Sequence, residues 1–248
     1  MGPAVNAFNA SQAAFLSQGL TLNSIVSPLK QQLTDNFDVG FRYNERHWYI
    51  APTLFDTEVH NQETFVFDPK VGTQYPVTTM ESRSIGGEIE VGVEPIEKLS
   101  IFGTASYFRY YFLDNIKTAT NSTLRTQGNQ IPDAPKWMAK FGASYEIYGV
   151  TVAPLIRWIG SRFGDAANTQ RVSDYYVIDI NLAYKIPEKL GYERLGIKNL
   201  RLFGSVLNVT DQKYVSNIRF NELQFTGGTA YFAGAPFTAV VGLTASTF

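Results

Sequence analysis

The chain has 248 residues, a formal net charge of -1 and no cysteine. Its 21 lysines and arginines are spread among 22 acidic residues, so no concentrated basic stripe is present and nucleic acid is excluded as a partner. The lack of cysteine excludes disulfides, thiolate metal sites and cysteine nucleophiles. Aromatic residues make up 14% of the chain, which favours β-structure, because aromatic side chains pack well on a pleated surface.

Residues 1–32 are rich in Ala, Ser, Asn and Gln and alternate poorly. We expect them to form an external loop segment or an N-terminal extension. The start of the chain has no basic region followed by an apolar core, so no export signal is visible. No apolar run reaches the roughly 18 residues that a membrane-spanning helix needs. If the chain crosses a membrane, it therefore crosses with strands.

Period-two alternation predicts nine strands in residues 33–248, because successive side chains of a strand point to opposite faces. The alternation is clean at 36–44, 85–94, 136–147 and 176–186 and weaker at about 48–59, 99–111, 150–161, 200–210 and 236–248. Pro52 and Pro154 lie inside weaker segments. We expect bulges there, because proline cannot donate a ladder hydrogen bond.

One face of the predicted strands carries full charges and the other carries almost none. The polar face is expected to line a lumen and to face a plug, and its residues are Glu88, Glu90, Lys140, Arg157, Asp179 and Asn181. A soluble β-sandwich gives the same alternation. The length of the clean strands and the aromatics at their ends favour a transmembrane antiparallel β-barrel.

Short and long connections alternate along the chain, which is typical of such barrels, whose long connections are external. The long ones run from His60 to Arg83, from Leu113 to Pro135, and over about 162–174 and 211–235. Among the short ones, only 187–199 is oversized. This order places the end of the chain, Phe248, on the periplasmic side.

The long connections carry aromatic and charged side chains that can close over a ligand. The candidate ligand-binding residues are Phe65, Phe67, Tyr75, Arg162, Phe163, Asp165, Tyr231 and Phe232. Phe220 and Phe225 belong to the same group of aromatics. The alternative is that these residues pack loop against loop.

Only two histidines, His47 and His60, are available for general-base or metal roles. Neither has a convincing set of partners in the sequence, although His60 has Glu58 and Glu63 nearby. Asp165 and Asp174 share a connection with two arginines, which favours a charged rim over an acid–base pair. We therefore expect no catalytic residue, no metal site, no cofactor and no enzymatic activity.

Five segments in order resemble the TonB-dependent transporters of the bacterial outer membrane. They are LTDNFDVGFRY at 33–43, SIGGEIEVGV at 84–93, IPDAPKW at 131–137, GSRFGDAAN at 160–168 followed by YYVID at 175–179, and LFGSVLNVTDQKY at 202–214. The final Phe248 also resembles the aromatic end that serves as the assembly signal of outer-membrane barrels.

The resemblance implies that 33–248 is an all-β, C-terminal portion of about nine strands of a 22-stranded barrel. Such barrels hold a plug, so a partner chain or an upstream segment is expected to supply the plug and the remaining strands. The implied function is import of a scarce ligand such as a ferric siderophore, energised through the TonB complex by way of that partner. Outer-membrane lipid and the barrel-assembly machinery are the other implied partners.

Two alternatives to the importer stay open at this point. One is a structural half-barrel subunit of a larger outer-membrane assembly without transport activity. The other is a small independent barrel, which would need a tenth strand within residues 5–28.

Overall fold

The computed structural model describes residues 2–26, 28–220 and 229–247. Its strands are β1 Leu33–Gly40, β2 Tyr43–Asn44, β3 Trp48–Asp68, β4 Thr73–Ile96, β5 Leu99–Phe112, β6 Ile116–Lys117, β7 Thr123–Leu124, β8 Trp137–Ile147, β9 Val150–Ile159, β10 Arg162–Phe163, β11 Arg171–Val172, β12 Tyr175–Lys185, β13 Ile197–Leu207, β14 Val215–Phe220, β15 Thr229–Ala233 and β16 Thr238–Thr247. The large sheet follows chain order as β1, β3, β4, β5, β8, β9, β12, β13 and β16. All pairings are antiparallel, and β2 adds to β3. This confirms the nine predicted strands.

The two faces of the sheet differ in chemistry, as the alternation predicted. One cross-strand row from β3 to β12 illustrates the polar face: Ala51, Glu90, Thr104, Lys140, Arg157 and Val177. The row displaced by one residue illustrates the apolar face: Ile50, Val91, Gly103, Phe141, Ile156 and Ile178. Phe141 on the apolar face is 55% exposed. Because no second sheet of described residues covers this face, the soluble sandwich is excluded.

Aromatic pairs lie at both ends of the apolar face. The rings of Tyr43 and Trp48 are 5.4 Å apart at the end with the short turns, and those of Tyr107 and Trp137 are 4.6 Å apart at the other end. This arrangement is typical of the aromatic girdles of membrane barrels.

The short turns agree with the sequence prediction. In the turn between β8 and β9, Tyr148 and Gly149 have φ values of 51° and 78°, as a two-residue hairpin turn requires. The oversized turn contains two 3-10 helices, Glu188–Leu190 and Tyr192–Leu195.

The bulges predicted at the two strand prolines are absent, and that prediction was wrong. Pro52 pairs with Ile89 and Pro154 pairs with Ile180 without a shift of register. Proline loses only its donor, and the Pro52 carbonyl still accepts the amide of Phe41 at 3.2 Å. Neighbouring pairs therefore keep the register.

The long connection predicted from His60 to Arg83 is also a correction, because most of it is strand. β3 and β4 continue past the expected boundary and form a long hairpin that turns at residues 69–72. The register shifts between Val59 and Thr64, and Asn61 adopts a φ of 53°. This bulge interrupts the alternation, which is why the sequence pattern seemed to end at residue 59.

Residues of the N-terminal segment form three helices, α1 Gly2–Ala10, α2 Gln12–Ser17 and α3 Leu22–Val26. Their buried residues join an apolar cluster with the hairpin of β3 and β4, where the rings of Phe15 and Tyr75 are 5.5 Å apart. Within 5–28, the described residues contain no strand, so the tenth strand of the small independent barrel is not found there. No helix in the described ranges has the length and apolar character to span a membrane.

Candidate functional site

The external connections pack into one unit at the end of the sheet. We call it the external platform, and it comprises the hairpin at 60–83 and the described parts of connections 113–136, 160–174 and 208–237. One apolar cluster runs through its first half, from Val66 and Tyr75 of the hairpin to Ile116 and Ile131 of the next connection. The platform thus joins elements that are far apart in sequence.

Asp68 ties the hairpin to the connection at 113–136. Its carboxylate is fully buried and accepts hydrogen bonds from the Tyr75 hydroxyl at 2.7 Å, from Thr120 Oγ1 at 2.7 Å and from the Lys70 amide at 3.1 Å. Burial opposes ionisation of Asp68, but these hydrogen bonds outweigh it and hold its pKa below the usual range. Burial and the bond to Asp68 raise the pKa of Tyr75. The Asp68 carboxylate is therefore a charged anchor inside the platform.

Side-chain amides join the connection at 113–136 to the next one. The backbone amide of Gln130 donates to Asn168 Oδ1 at 2.7 Å, and Asn168 Nδ2 donates back to the backbone carbonyl of Gln130 at 2.8 Å. Asn129 Nδ2 donates to the Ala166 carbonyl at 2.9 Å. Such reciprocal bonds fix the relative position of two backbones.

Asn208 joins the two ends of the connection at 208–237 by hydrogen bonds. Asn208 Nδ2 donates to the carbonyls of Gln212 at 3.0 Å and Ala235 at 2.9 Å. The backbone amide of Asn208 donates to Asp179 Oδ1 at 2.8 Å, while Arg157 Nη2 donates to Asp179 Oδ2 at 2.6 Å. Asp179 therefore links the polar face of the sheet to the platform.

The hairpin of β14 and β15 is held against the connection at 160–174. Thr229 Oγ1 donates to the Gly164 carbonyl at 2.7 Å, and the Tyr231 hydroxyl donates to Gln170 Oε1. Burial raises the pKa of Tyr231, with a further contribution from the negative charge of Asp165. This phenol thus remains a donor at neutral pH.

The structure separates the predicted ligand-binding residues into two groups. Tyr75 and Arg162 are 1% and 2% exposed, and Asp165 accepts from the amides of Thr169 and Gln170 at 3.1 and 2.8 Å. These three side chains are used inside the platform, so we assign them to loop packing, the alternative that the sequence also allowed.

The other predicted ligand-binding residues are more accessible. Phe65, Phe67 and Phe163 are half-buried. Tyr231 and Phe232 are 44% and 47% exposed on β15. Phe225 and the side chain of Phe220 lie outside the described residues.

Four of the predicted lumen-facing residues, Glu88, Glu90, Lys140 and Arg157, line one hollow of about 380 Å³ on the polar face. Asn181, further along the same face, accepts a hydrogen bond from the Ser205 hydroxyl at 2.7 Å. Asp179 is 5% exposed, because the start of the connection at 208–237 covers it. That this face contacts a plug stays a prediction.

His60 lies at the bulge of β3, on the same side of the sheet as the apolar face but beyond its aromatic girdle. Nδ1 is 2.7 Å from Glu81 Oε2, and Nε2 is 3.4 Å from Asp35 and 3.7 Å from Glu58. The hydrogen bond to Glu81 raises the pKa of His60, and the charges of all three carboxylates add to this effect against partial desolvation. In the described ranges no group of three or more His, Cys, Asp or Glu side chains is arranged to hold a metal ion.

We predict that His60 makes stability depend on pH. Because its folded pKa is raised above the unfolded value of about 6.5, its contribution is complete below that pH and is lost as the pH rises through the folded pKa. The wild type should therefore unfold at a higher urea concentration than H60Q at about pH 6, and the difference between the two midpoints should shrink as the pH rises to about 9. An equally large difference at all pH values would contradict the prediction, and E81Q should weaken the dependence.

Comparison with known proteins places this geometry in a family. Residues 3–209 match the family described as "TonB dependent receptor-like, beta-barrel". The chain belongs to this family. It is similar to the ferrioxamine receptor of Yersinia enterocolitica, with 28% identity over 76% of this chain and 25% of that protein. It is also similar to the ferrichrome outer membrane transporter/phage receptor of Escherichia coli (strain K12), with 26% identity over 73% of this chain and 23% of that protein.

Solved structures agree on the fold of the family. The ferric citrate transporter in its unliganded form gives a TM-score of 0.68 at 18% identity, covering 95% of this chain and 33% of that one. The ferric yersiniabactin uptake receptor of Yersinia pestis gives 0.64 at 18% identity, covering 86% and 29%. The family match and the outer membrane transporter among the curated relatives confirm the outer-membrane location predicted from the sequence.

The chain spans about a quarter of the length of the curated relatives it matches. Closure of a barrel and a total of 22 strands therefore stay predictions for the complete protein, as do the boundaries 1–32 and 33–248. Phe248, the predicted assembly signal, lies outside the described residues.

Proposed function

We propose that this chain is the barrel portion of an active outer-membrane transporter that imports a scarce ligand such as a ferric siderophore, energised through TonB. The observation that carries the proposal is the external platform, which holds exposed aromatic side chains on fixed backbone above a charged polar face. The names of the relatives support the same ligand class, because they are receptors for ferrioxamine and ferrichrome.

Phe232 on β15 is the proposed ligand contact, while the neighbouring Tyr231 is bonded within the platform through Gln170. Phe232 supplies large apolar area at a low cost in side-chain entropy. The hydrogen bonds to Gly164 and Gln170 hold β15 before the ligand arrives, which reduces the ordering cost of binding. The half-buried Phe163 lies on the adjoining connection.

The polar face supplies the proposed contact with a plug. Glu88 and Glu90 face Lys140 and Arg157 across one hollow, so a folded segment in the lumen meets both signs of charge there. The plug, the remaining strands, the TonB complex and the assembly machinery are the proposed partners of the complete protein. A structural half-barrel without transport has no observation in its favour among the described residues.

The proposal predicts energy-dependent uptake by the complete protein. Cells expressing it should accumulate radioactive iron presented as ferrichrome or ferrioxamine, and should stop when TonB is deleted. Failure of the cells to take up either chelate, with the protein present at the surface, would overturn the proposal for these ligands.

We expect F232A to raise the half-saturation concentration for uptake about tenfold, because we place Phe232 among the minority of contact residues whose truncation costs more than about 1 kcal/mol of binding energy, and about 1.4 kcal/mol corresponds to tenfold. Initial rates at several ligand concentrations measure the effect. The matched control is Y148N, at the opposite end of the sheet, where φ is 51° and asparagine is tolerated. Equal half-saturation in F232A and wild type would remove Phe232 from the ligand site.

A further inference from the structure

The hairpin of β14 and β15 has two unlike sides. Ile218 pairs with Tyr231 on the side that faces the rest of the platform, and Ile218 is only 3% exposed. Since neighbouring side chains of a strand point to opposite faces, Arg219 and Phe232 share the other side. Both are exposed. The second side is therefore the one that is available to a ligand.

Asp133 and Arg162 fix this hairpin from two neighbouring connections. Arg162 Nε donates to Asp133 Oδ1 at 2.5 Å. Asp133 Oδ2 accepts the Ile218 amide at 3.1 Å, and Arg162 Nη2 donates to the Val215 carbonyl at 2.6 Å. The ion pair thus holds the backbone of β14 at two points three residues apart, through one acceptor and one donor.

The surroundings of the pair restrict its geometry further. The Arg162 guanidinium lies 5.5 Å from the ring centroid of Tyr175, and that ring stacks on Tyr214 at 4.4 Å. The amide of Asp133 donates to the Phe163 carbonyl at 2.9 Å. The Arg162 side chain is 2% exposed and the Asp133 side chain 23%. Because a largely buried pair with these partners permits few alternative arrangements, it specifies one position for the strand.

We propose that Asp133 and Arg162 are positioning residues, which orient the hairpin so that Phe232 and Arg219 meet the imported ligand. Neither positioning residue touches the ligand. A phenyl ring beside a guanidinium suits a chelate with carbonyl or carboxylate oxygens on its periphery. This inference rests on the proposed function.

The sequence offers conservative variants with matched controls. D133N keeps the shape of a residue whose φ is 56° but removes its charge, and R162K keeps the charge but loses the planar fork. D114N is the control for the first change, because Asp114 is exposed on the same connection. R171K is the control for the second, because Arg171 is exposed on the same connection as Arg162 and its side chain donates to the Ser161 hydroxyl at 3.1 Å.

The experiment uses the complete protein in outer membranes, with iron-loaded ferrichrome and ferrioxamine as probes. For D133N and R162K we expect the half-saturation concentration to rise about tenfold, which corresponds to one charge-assisted hydrogen bond. The maximal rate per surface copy should stay unchanged, as should both controls. Amide hydrogen exchange of the purified protein should increase at 215–220 and 229–233, but not at 175–185.

Each outcome decides one of the two proposals. Uptake by the wild type with unchanged half-saturation in D133N and R162K would overturn the positioning role alone. Failure of the wild type to import either probe would overturn the proposed function and this inference with it. If the single variants do not reach the surface, the double variant D133N/R162M removes the pair without leaving one charge buried, and the same outcomes apply to it.

Discussion

Replacement of Asp68 by alanine is expected to release the connection at 113–136 from the hairpin of β3 and β4. The substitution leaves the buried hydroxyl of Tyr75 and the half-buried hydroxyl of Thr120 without their charged acceptor. Hydrogen bonds to charged groups contribute about 1.5–3 kcal/mol each. We therefore expect a loss of about 3 kcal/mol in the local stability of the platform.

Hydrogen exchange and limited proteolysis of the purified protein measure this release. Exchange should accelerate at 69–78 and 113–126, whereas the strands at 137–147 and 150–159 should keep their protection. D114A is the control, since Asp114 is exposed at the start of the same connection. Equal protection in D68A and wild type would show that apolar packing alone holds the two segments together.

Replacement of Gly86 by alanine is expected to disrupt the pairing of β4 with β5. A Cβ at this position would lie 2.6 Å from the Phe108 Cα and still closer to the Tyr107 carbonyl oxygen. Both obstacles are backbone atoms, so no side-chain rotation can relieve the overlap. Overpacking of this kind costs roughly 1–3 kcal/mol or more, and we expect G86A at the upper end.

G204A is the matched control within the same sheet. The nearest atom to a Cβ at Gly204 is the Val240 carbonyl oxygen at 3.6 Å, which is ordinary contact. Glycine within a strand costs about 0.5–1 kcal/mol relative to alanine, so this variant should be neutral or slightly more stable. Urea unfolding in detergent compares the two, and similar midpoints for G86A and wild type would contradict the expected overlap.

The strands and their faces could be predicted because lipid on one side and a polar lumen on the other enforce strict alternation. Ile89 and Glu88 obey this rule on adjacent positions of one strand. The rule ends where that environment ends. Beyond the bulge at Asn61, Val66, Asp68 and Tyr75 are buried on one side of the hairpin, and Phe65 and Phe67 are half-buried on the other. Neither side therefore keeps the regular polar pattern that would reveal the strand.

The helices at the start of the chain escaped prediction for a similar reason. They are short, and the platform supplies their stability through buried Phe8, Phe15 and Ile25. A helix of so few residues forms mainly because of tertiary packing. The sequence alone contains no signal of the surface on which it packs.

The composition of the candidate site was predicted in part. Aromatics in external connections were recognisable as contact area, but their sorting into buried and exposed groups depends on which connections meet. Asp133 was quoted only as part of a proline-rich segment, and its role depends on Arg162, about thirty positions further along. For Asn208 and Asp211 the residue type itself was a signal of a turn. The structure gives them φ values of 49° and 47°, which Asn and Asp tolerate better than other side chains.

The positions of the tryptophans determine what intrinsic fluorescence can report. The chain has three, and Trp48, Trp137 and Trp158 all belong to the apolar face by their pairing. Their emission should be quenched by brominated lipids, so membrane insertion of this chain can be followed without any label. Trp158 also donates from Nε1 to Asp174 Oδ2 of the platform at 3.1 Å. A change of emission on ligand binding would therefore be expected from Trp158, and a dye on the external connections gives a binding signal that is separate from the lipid-facing residues.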